Sequence, residues 1–491
     1  MTTPALPGVR LTFEPVAAGA EPLRTDVAAF LGRTRRGPVD RPVRVTSWNE
    51  VVGVFGEPDG SSATPYALRG FFDNGGRTAW VSRVSGPASP ASAEWTVGQG
   101  CYRVVAASPG TWANGARVAI RYQASTVAGP PTVTVRVIVP GEPAEVFAGL
   151  PPAQVVERLS ASRLVRLVAS RPAAPLPPPG GPISQTWDLV LAGGTDSPPD
   201  RDDYAGAVRV QADLPEPALV ALPDLGSDLP GQDHLDLVAE LLAVVEPLAD
   251  RLVVLDVPPD LSTVDEVVSW VESLTASGDP ALANAAVFHP PLLVPAAHGT
   301  RAVPASGHVL GMVARLDGER GAHHTPANAV LLDAVDLTVD HPREQLVRLF
   351  DARIDLVRCQ RGRGLVGWGG RTLSGDPRRR YVAHRRLLHL LVRAIRRVAG
   401  PLVFDVNSPE LRLTLVRAVT SVLLEAYRTG ALAGARPEQA FRVLCDDTNN
   451  PPDQDPAQLV CEIDVAPAVP MEFIHLRLTL GQDRDLEVIE S

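Results

Sequence analysis

ALRGFFDNGGRTAWVSRV, Ala67 to Val84, places two adjacent phenylalanines, an Asn-Gly-Gly break and an alternating apolar run side by side. A helix that stops at Gly75 or Gly76 needs a residue tolerant of left-handed backbone, and Ala79, Val81 and Val84 then read as a strand leaving that stop. The stretch is a helix-to-strand corner. A phosphate loop needs the reverse order, strand then glycines then helix N-terminus, because free N–H groups and the positive dipole end lie at the N-terminus. These glycines therefore punctuate a building block.

The same alternation of elements spreads outward. PALVALPDL, RLVVLDVPP and NAAVFHP are apolar runs without polar alternation, separated by helical stretches at Asp233 to Leu248 and Thr263 to Leu274, the second opened by a Thr263/Glu266 capping box. Such strands, buried on both faces, predict a parallel sheet covered by helices. Between the corner and these runs the texture changes. CYRVVAAS, GARVAIRYQ, PTVTVRVIVP and SRLVRLVAS are short β-branched segments broken by Gly, Pro and Asn, which predicts an inserted β domain that closes at the proline-rich linker Arg171 to Pro182. The last third carries a basic amphipathic helix ended by Gly400-Pro401, a second helix capped by Ser408 with Pro409 in its first turn, and three strand-like runs.

The chain has 491 residues with a formal net charge of -10, and all 46 of its basic residues are arginine. Without lysine there is no Walker lysine, no kinase strand lysine, no Schiff-base or pyridoxal lysine and no lipoyl or biotin carrier. The negative balance argues against a nucleic-acid coat. The first residues lack a charged and then apolar leader pattern, and no apolar run approaches the ~18 residues of a membrane span, so synthesis and folding in the cytoplasm are expected, with no direct membrane insertion. Cys101, Cys359, Cys445 and Cys461 form no Cys-x-x-Cys pair and read as reduced core thiols.

Three patterns invite chemistry. GRGLVG, Gly362 to Gly367, matches a dinucleotide pattern, and the Gly362–Gly370 loop is the basis of an alternative reading as a nucleotide-dependent α/β enzyme; the next stretch, WGGRTLSGDP, reads as a loop and not as a helix. His289, His298, His308, His323, His324 and His341 share one region without a metal-ligand spacing. Asp446 to Pro456 is acidic but lacks the glutamate that ends an EF-hand loop. No catalytic residue, cofactor or metal is assigned. The arginine cluster Arg378, Arg379, Arg380, Arg385, Arg386, Arg393, Arg396 and Arg397 contains no intervening acid. With Leu387, Leu388, Leu391 and Ile395 as a buried stripe, the other face is expected to be exposed and to meet an acidic protein.

Both chain ends read as strands. Val9, Leu11 and Phe13 alternate with polar residues between prolines, and near the other end Ile474, Leu476, Leu478 and Leu480 alternate with Phe473, His475, Arg477 and Thr479. A strand without a local partner must pair with a distant sheet or with another molecule.

Several ordered blocks then carry a resemblance: PGVRLTFEPV from Pro7, TDVAAFLGRTRRGPV from Thr25, FFDNGGRTAWVSRV from Phe71, ASPGTWANGARVAI from Ala107, RGAHHTPANAVL from Arg320, GWGGRTLSGDPRRRYVAHRRLL from Gly367, TGALAGARPEQAFRVLCD from Thr429 and DVAPAVPMEFIHLRL from Asp464. In this order they resemble landmarks of contractile tail sheath proteins of phages and phage-tail-like contractile injection systems. The resemblance implies a non-enzymatic subunit that assembles with itself as stacked hexameric rings around an inner tube protein, bounded by baseplate and terminal cap proteins, and contracts to drive the tube outward. It implies an arm at 1–20, a first part of the core at 21–93, an inserted outer domain at 94–191, an α/β domain at 192–365, a tube-facing domain at 366–480 and an arm end at 481–491. The terminal strands become inter-subunit arms, Arg385, Arg386, Arg393, Arg396 and Arg397 become tube-facing candidates, and assembly takes place in the cytoplasm with later release by lysis.

Overall fold

A computed structural model describes residues 23–97, 100–124, 130–169, 184–402, 405–451, 458–468, 474–480 and 486–490. The N-terminal strand with Val9, Leu11 and Phe13, the linker Arg171 to Pro182 and Phe473 lie outside the described residues.

The central element is a nine-stranded mixed sheet. Six neighbouring strands run parallel, in the spatial order Ile354–Gln360, Ala285–His289, Leu252–Asp256, Leu219–Ala221, Ala28–Gly32 and Ala79–Arg83. Antiparallel strands finish both sides, Val43–Val45 on one and Gly364–Trp368 followed by Ala329–Val330 on the other. Alternate residues of the parallel strands enter two separate cores. Val254, Ala286 and Phe288 pack with helices Thr64–Asp73 and Ser306–Arg320, whereas Val253, Leu255 and Val287 pack with Gln232–Val245 and Val264–Thr275. Strands apolar on both faces need helices on both faces, as the unbroken runs predict.

At the opening corner, helix Thr64–Asp73 ends as its sequence predicts. Gly76 N–H bonds to Phe71 O (2.9 Å), Gly75 N–H to Phe72 O (3.1 Å), and Gly75 sits at φ +106°. This is a Schellman-type end, in which the left-handed residue must be glycine or pay a steric penalty. Asn74 secures the corner by donating to Gly70 O and Leu332 O and accepting from Leu332 N (2.7 Å).

From Ser92 to Val190 the chain forms two antiparallel sheets, one ordered Gln185–Val190, Arg117–Gln123, Thr132–Ile138, Glu145–Leu150 and the other Ser92–Val97, Gly100–Ala106, Val165–Ala169. They enclose their own core around Trp95, Tyr102, Ile120 and Val135. Arg36 and Arg83 hold this unit to the central sheet, Arg83 by donating to Gly37 O (2.8 Å) and Pro109 O (3.0 Å), Arg36 through Glu142 (3.1 Å).

Helices Val382–Ala399 and Pro409–Arg428 pack on a four-stranded antiparallel sheet of Phe441–Leu444, Leu459–Val465, Ile474–Leu480 and Leu486–Glu490. Ser408 caps the second helix by accepting from Leu411 N (3.2 Å). One expectation changes here. The strand Ile474–Leu480 has a partner in its own chain, since Val465 lies opposite Ile474 and Leu459 opposite Leu480. Its partner is reached across the short connection after Val465, so the prolines there do not prevent a hairpin-like return.

Candidate functional site

The helix Val382–Ala399 has two buried faces. Leu387, Leu388, Leu391 and Ile395 point into the C-terminal core, while the arginines reach the opposite way, under the N-terminal ends of the parallel strands. Arg385 Nε donates to Asn284 Oδ1 (2.8 Å), immediately before strand Ala285–His289. Arg396 donates to Leu248 O, and Arg393 pairs with Asp250 (3.3 Å), both ahead of Leu252–Asp256. Arg393 also donates to Glu216 O (2.8 Å) and Pro217 O ahead of Leu219–Ala221, and to Arg24 O (3.1 Å) ahead of Ala28–Gly32. Arg386 donates to Thr25 O (2.7 Å) and pairs with Asp317 on helix Ser306–Arg320. One helix thus meets the lower ends of four neighbouring strands. The planar guanidinium, with several donors in a fixed fork, suits a surface of carbonyls that a single ammonium would serve less well.

The exposed basic face expected from the sequence is therefore corrected. Arg385 is 7% and Arg386 3% exposed, and Arg393 is nearly as buried. Their carbonyl and carboxylate partners belong to the same chain. Arg397, by contrast, is exposed. The seam also fixes charge states. Burial, then the neighbouring arginines, hold His389 well below the ordinary histidine range, with its Nε2 3.0 Å from Asn284 Oδ1. Burial raises the Asp317 carboxyl to about 6 even though Arg386 opposes that shift.

The Gly362–Gly370 loop resolves into two parts. Gly362 and Gly364, at φ +79° and +87°, shape the turn between antiparallel strands Ile354–Gln360 and Gly364–Trp368. Beyond them, Gly370 N and Arg371 N donate to Asp355 Oδ1 at 2.7 and 3.0 Å. A Cβ on Gly369, which sits at φ +137°, would lie 2.2 Å from that carboxylate oxygen. The acceptor held by these backbone N–H groups is the chain's own Asp355 carboxyl, which burial raises to about 7. No helix N-terminus succeeds the glycine pattern, so a pyrophosphate placed there would lack that support.

At the upper edge of the parallel sheet, where many α/β proteins bind ligands, a cavity of about 480 Å3 is lined by residues including Arg33, Asp224, Asp256, His289 and Arg301. Its carboxylates serve the fold. Asp224 accepts from Ala63 N (2.5 Å) and Thr64 Oγ1 (2.7 Å) at the start of helix Thr64–Asp73, and Asp256 accepts from Ser306 N (3.0 Å) at the start of Ser306–Arg320. His289 Nε2 lies 3.1 Å from His341 Nε2, and the His323 and His324 rings meet at 4.3 Å with a tilt of 48°. Among the described residues, no group of three or more His, Cys, Asp and Glu is placed to hold a metal, and no helix is long and apolar enough to cross a membrane. In the acidic loop, Asp446 accepts from Thr448 N (2.8 Å), forming a local turn; residues 452–457 of the loop lie outside the described residues.

The thiol expectation is also adjusted: Cys445 and Cys461 are buried, Cys101 is intermediate and Cys359 is exposed. Cys359 lies near the exposed end of strand Ile354–Gln360.

No family model matches the chain. It is 30% identical over 181 residues to the tail sheath protein of Vibrio phage KVP40, a match spanning 36% of this chain and only 26% of that protein's length. Its fold is similar over nearly its whole length to three solved sheath structures. The sheath tail protein of Listeria innocua superposes with TM-score 0.66 at 13% identity, covering 93% of this chain and 95% of that one. That of Desulfitobacterium hafniense gives 0.65 at 14% identity, covering 96% and 100%. The helical sheath of the anti-feeding prophage in its contracted state gives 0.57 at 20% identity, covering 96% and 98%. The chain has the mixed α/β multidomain fold of sheath proteins from phage tails and contractile injection systems.

Proposed function

We propose that this protein is the structural subunit of a contractile sheath, assembling as stacked hexameric rings around an inner tube and contracting to drive that tube through a target envelope. The observation that carries the reading is the near-complete match in fold to sheath proteins, joined to a sequence match with a phage tail sheath protein. No fuel site is needed. Contraction draws on the free-energy difference between two packings of the same subunits, released from a baseplate. The partners are further copies of this chain, the inner tube protein, and baseplate and cap proteins; assembly takes place in the cytoplasm.

In this reading the arginine seam joins the C-terminal unit and the central sheet into one body, so the large displacements of contraction fall between subunits. Arg397, on the exposed side of the same helix, is a tube-facing candidate. The N-terminal strand with Val9, Leu11 and Phe13 adds to a neighbour's sheet. For the strand Ile474–Leu480, exchange means leaving its own sheet for the equivalent place in a neighbour, with the same ladder made by another chain, as in domain swapping.

Electron microscopy of the purified protein, expressed with its tube partner, tests the proposal. Striated tubes that shorten on mild denaturant without nucleotide are expected; a monomer that forms no tubes under any condition, or tubes that shorten only as this chain hydrolyses ATP, would overturn it. Deleting residues 1–20 is expected to leave a folded subunit that no longer builds long tubes. Full-length contractile tubes from that truncated chain would remove the N-terminal arm from the reading.

A further inference from the structure

Strand Phe441–Leu444 is an edge of the C-terminal sheet and pairs antiparallel with Leu459–Val465 in a register that sets Leu444 opposite Glu462. Continued by one residue, the register sets Cys445 opposite Cys461. Both side chains are buried, Cys445 at 7% exposure and Cys461 at 0%, and each thiol shifts the titration of the other. Directly opposed residues of an antiparallel pair have Cβ atoms ~4.5–5.5 Å apart, so little backbone movement separates this pair from disulfide geometry. Cys101 and Cys359 stand apart from it on other sheets.

We propose that Cys445 and Cys461 are an oxidisable dithiol that closes to a cross-strand disulfide when the protein meets a small-molecule disulfide, stapling the edge strand Phe441–Leu444 to its neighbour. The two thiols have different roles. The neighbouring Cys461 thiol holds Cys445 below the ordinary cysteine range, while the Cys445 thiol and burial push Cys461 up. Cys445 is also the less buried of the two, at the end of an edge strand. Its thiolate attacks one sulfur of the oxidant, forming a mixed disulfide and expelling one thiolate. Cys461 then gives up its proton and attacks the Cys445 sulfur, expelling the second. The balance is two protein thiols and one small disulfide giving one protein disulfide and two small thiols. A chain made in a reducing compartment keeps the pair as thiols, and one that reaches an oxidising compartment acquires the staple.

The test uses the full-length folded protein incubated with glutathione disulfide, quenched in acid, alkylated with iodoacetamide and digested with trypsin. No arginine or lysine lies between Arg442 and Arg477, so both cysteines fall on one peptide, Val443 to Arg477. That peptide is expected to lose the mass of two hydrogen atoms and to take up no alkylating agent, and to regain two alkylation sites after reduction. In Cys461→Ser the closing step is lost, and Cys445 is expected to accumulate the glutathione mixed disulfide. The thermal midpoint of the oxidised wild type is expected to rise, with no rise in Cys445→Ser. If the wild-type peptide keeps two free thiols while Cys359 is modified, or if Cys445 and Cys461 each carry glutathione without closing, the proposal fails. The wild-type peptide decides this even if a serine variant does not fold.

Discussion

At the N-terminal ends of the parallel strands, the arginines of one helix fill the space beneath the sheet, whereas at the C-terminal ends a cavity of about 480 Å3 remains between aspartates that cap two helices. In a nucleotide-binding α/β protein the upper edge would offer free helix N-termini to phosphate. Here Asp224 and Asp256 already meet the starts of Thr64–Asp73 and Ser306–Arg320. Near the start of its own strand, Asp355 does the same for the backbone after the glycine pattern. The chain supplies its own carboxyl groups to these backbone N–H groups and its own cations to the lower edge. Electrostatic sites that a binding protein leaves open for partners are used internally here, to fix one shape.

The largest effect that would break this comparison lies in the seam. Arg386→Ala leaves Asp317 buried without its cation and Thr25 O without its donor, and a loss of about 3–5 kcal/mol in unfolding free energy is expected from denaturant titration. The double variant Arg386→Met with Asp317→Leu is expected to recover part of that loss, because apolar groups of similar volume remove the stranded charge. A loss under about 1 kcal/mol in Arg386→Ala would show that the seam is not a firm contact. Gly369→Ala comes next: its Cβ would meet Asp355 Oδ1 in a left-handed backbone region, and a loss of about 1–3 kcal/mol is expected in the same titration.

The seam's histidine gives a smaller, pH-dependent effect. Unfolded, His389 titrates near ~6.5, while burial holds its native pKa well below that. The native state then binds fewer protons at acid pH, so this contribution is complete above ~6.5 and is lost as pH falls, at up to about 1.4 kcal/mol per pH unit. Asp317 acts in the opposite sense. Its native pKa is raised to about 6, so its contribution is complete below the unfolded carboxylate range and is lost as pH rises through 6. His389→Gln is expected to flatten the stability loss on acidification from pH 6.5 to 5; an unchanged pH profile would show that the imidazole is not held neutral. The smallest effect on stability belongs to Arg397→Glu, expected to change unfolding free energy by less than about 0.5 kcal/mol while reducing the fraction of tube-filled sheaths at low salt. Normal filling at low salt would withdraw Arg397 as a tube contact.

Much of the frame is legible in the order of residues alone. The Thr263/Glu266 capping box closes reciprocally, with Glu266 N 3.2 Å from Thr263 Oγ1, and the Asn-Gly-Gly corner ends its helix where a left-handed residue is required. These are local rules, satisfied within a few residues. The apolar stripe of Val382–Ala399 is legible for the same reason, since Leu387, Leu391 and Ile395 repeat at helical spacing. What its arginines face is not. The acceptors of Arg385, Arg386 and Arg393 are mostly backbone carbonyls and an Asn side chain from distant segments, and a carbonyl leaves no mark in a one-letter sequence. The pairing of Ile474–Leu480 with Leu459–Val465 escapes the sequence because alternation reveals a strand but not its partner, and prolines between two strands do not forbid their return.

The seam has a consequence for how the chain is made. Arg386 reaches Thr25 across 361 positions and Arg393 reaches Arg24 across 369, so the first strand of the sheet waits for residues translated long after it. A nascent or truncated polypeptide that stops before Val382 carries an unsealed underside, with the carbonyls of four strand approaches facing water. Sealing is therefore a structural mark that translation has passed the seam helix, set once that helix has left the ribosome. Incomplete products would differ from finished chains on a surface that a protease can sample.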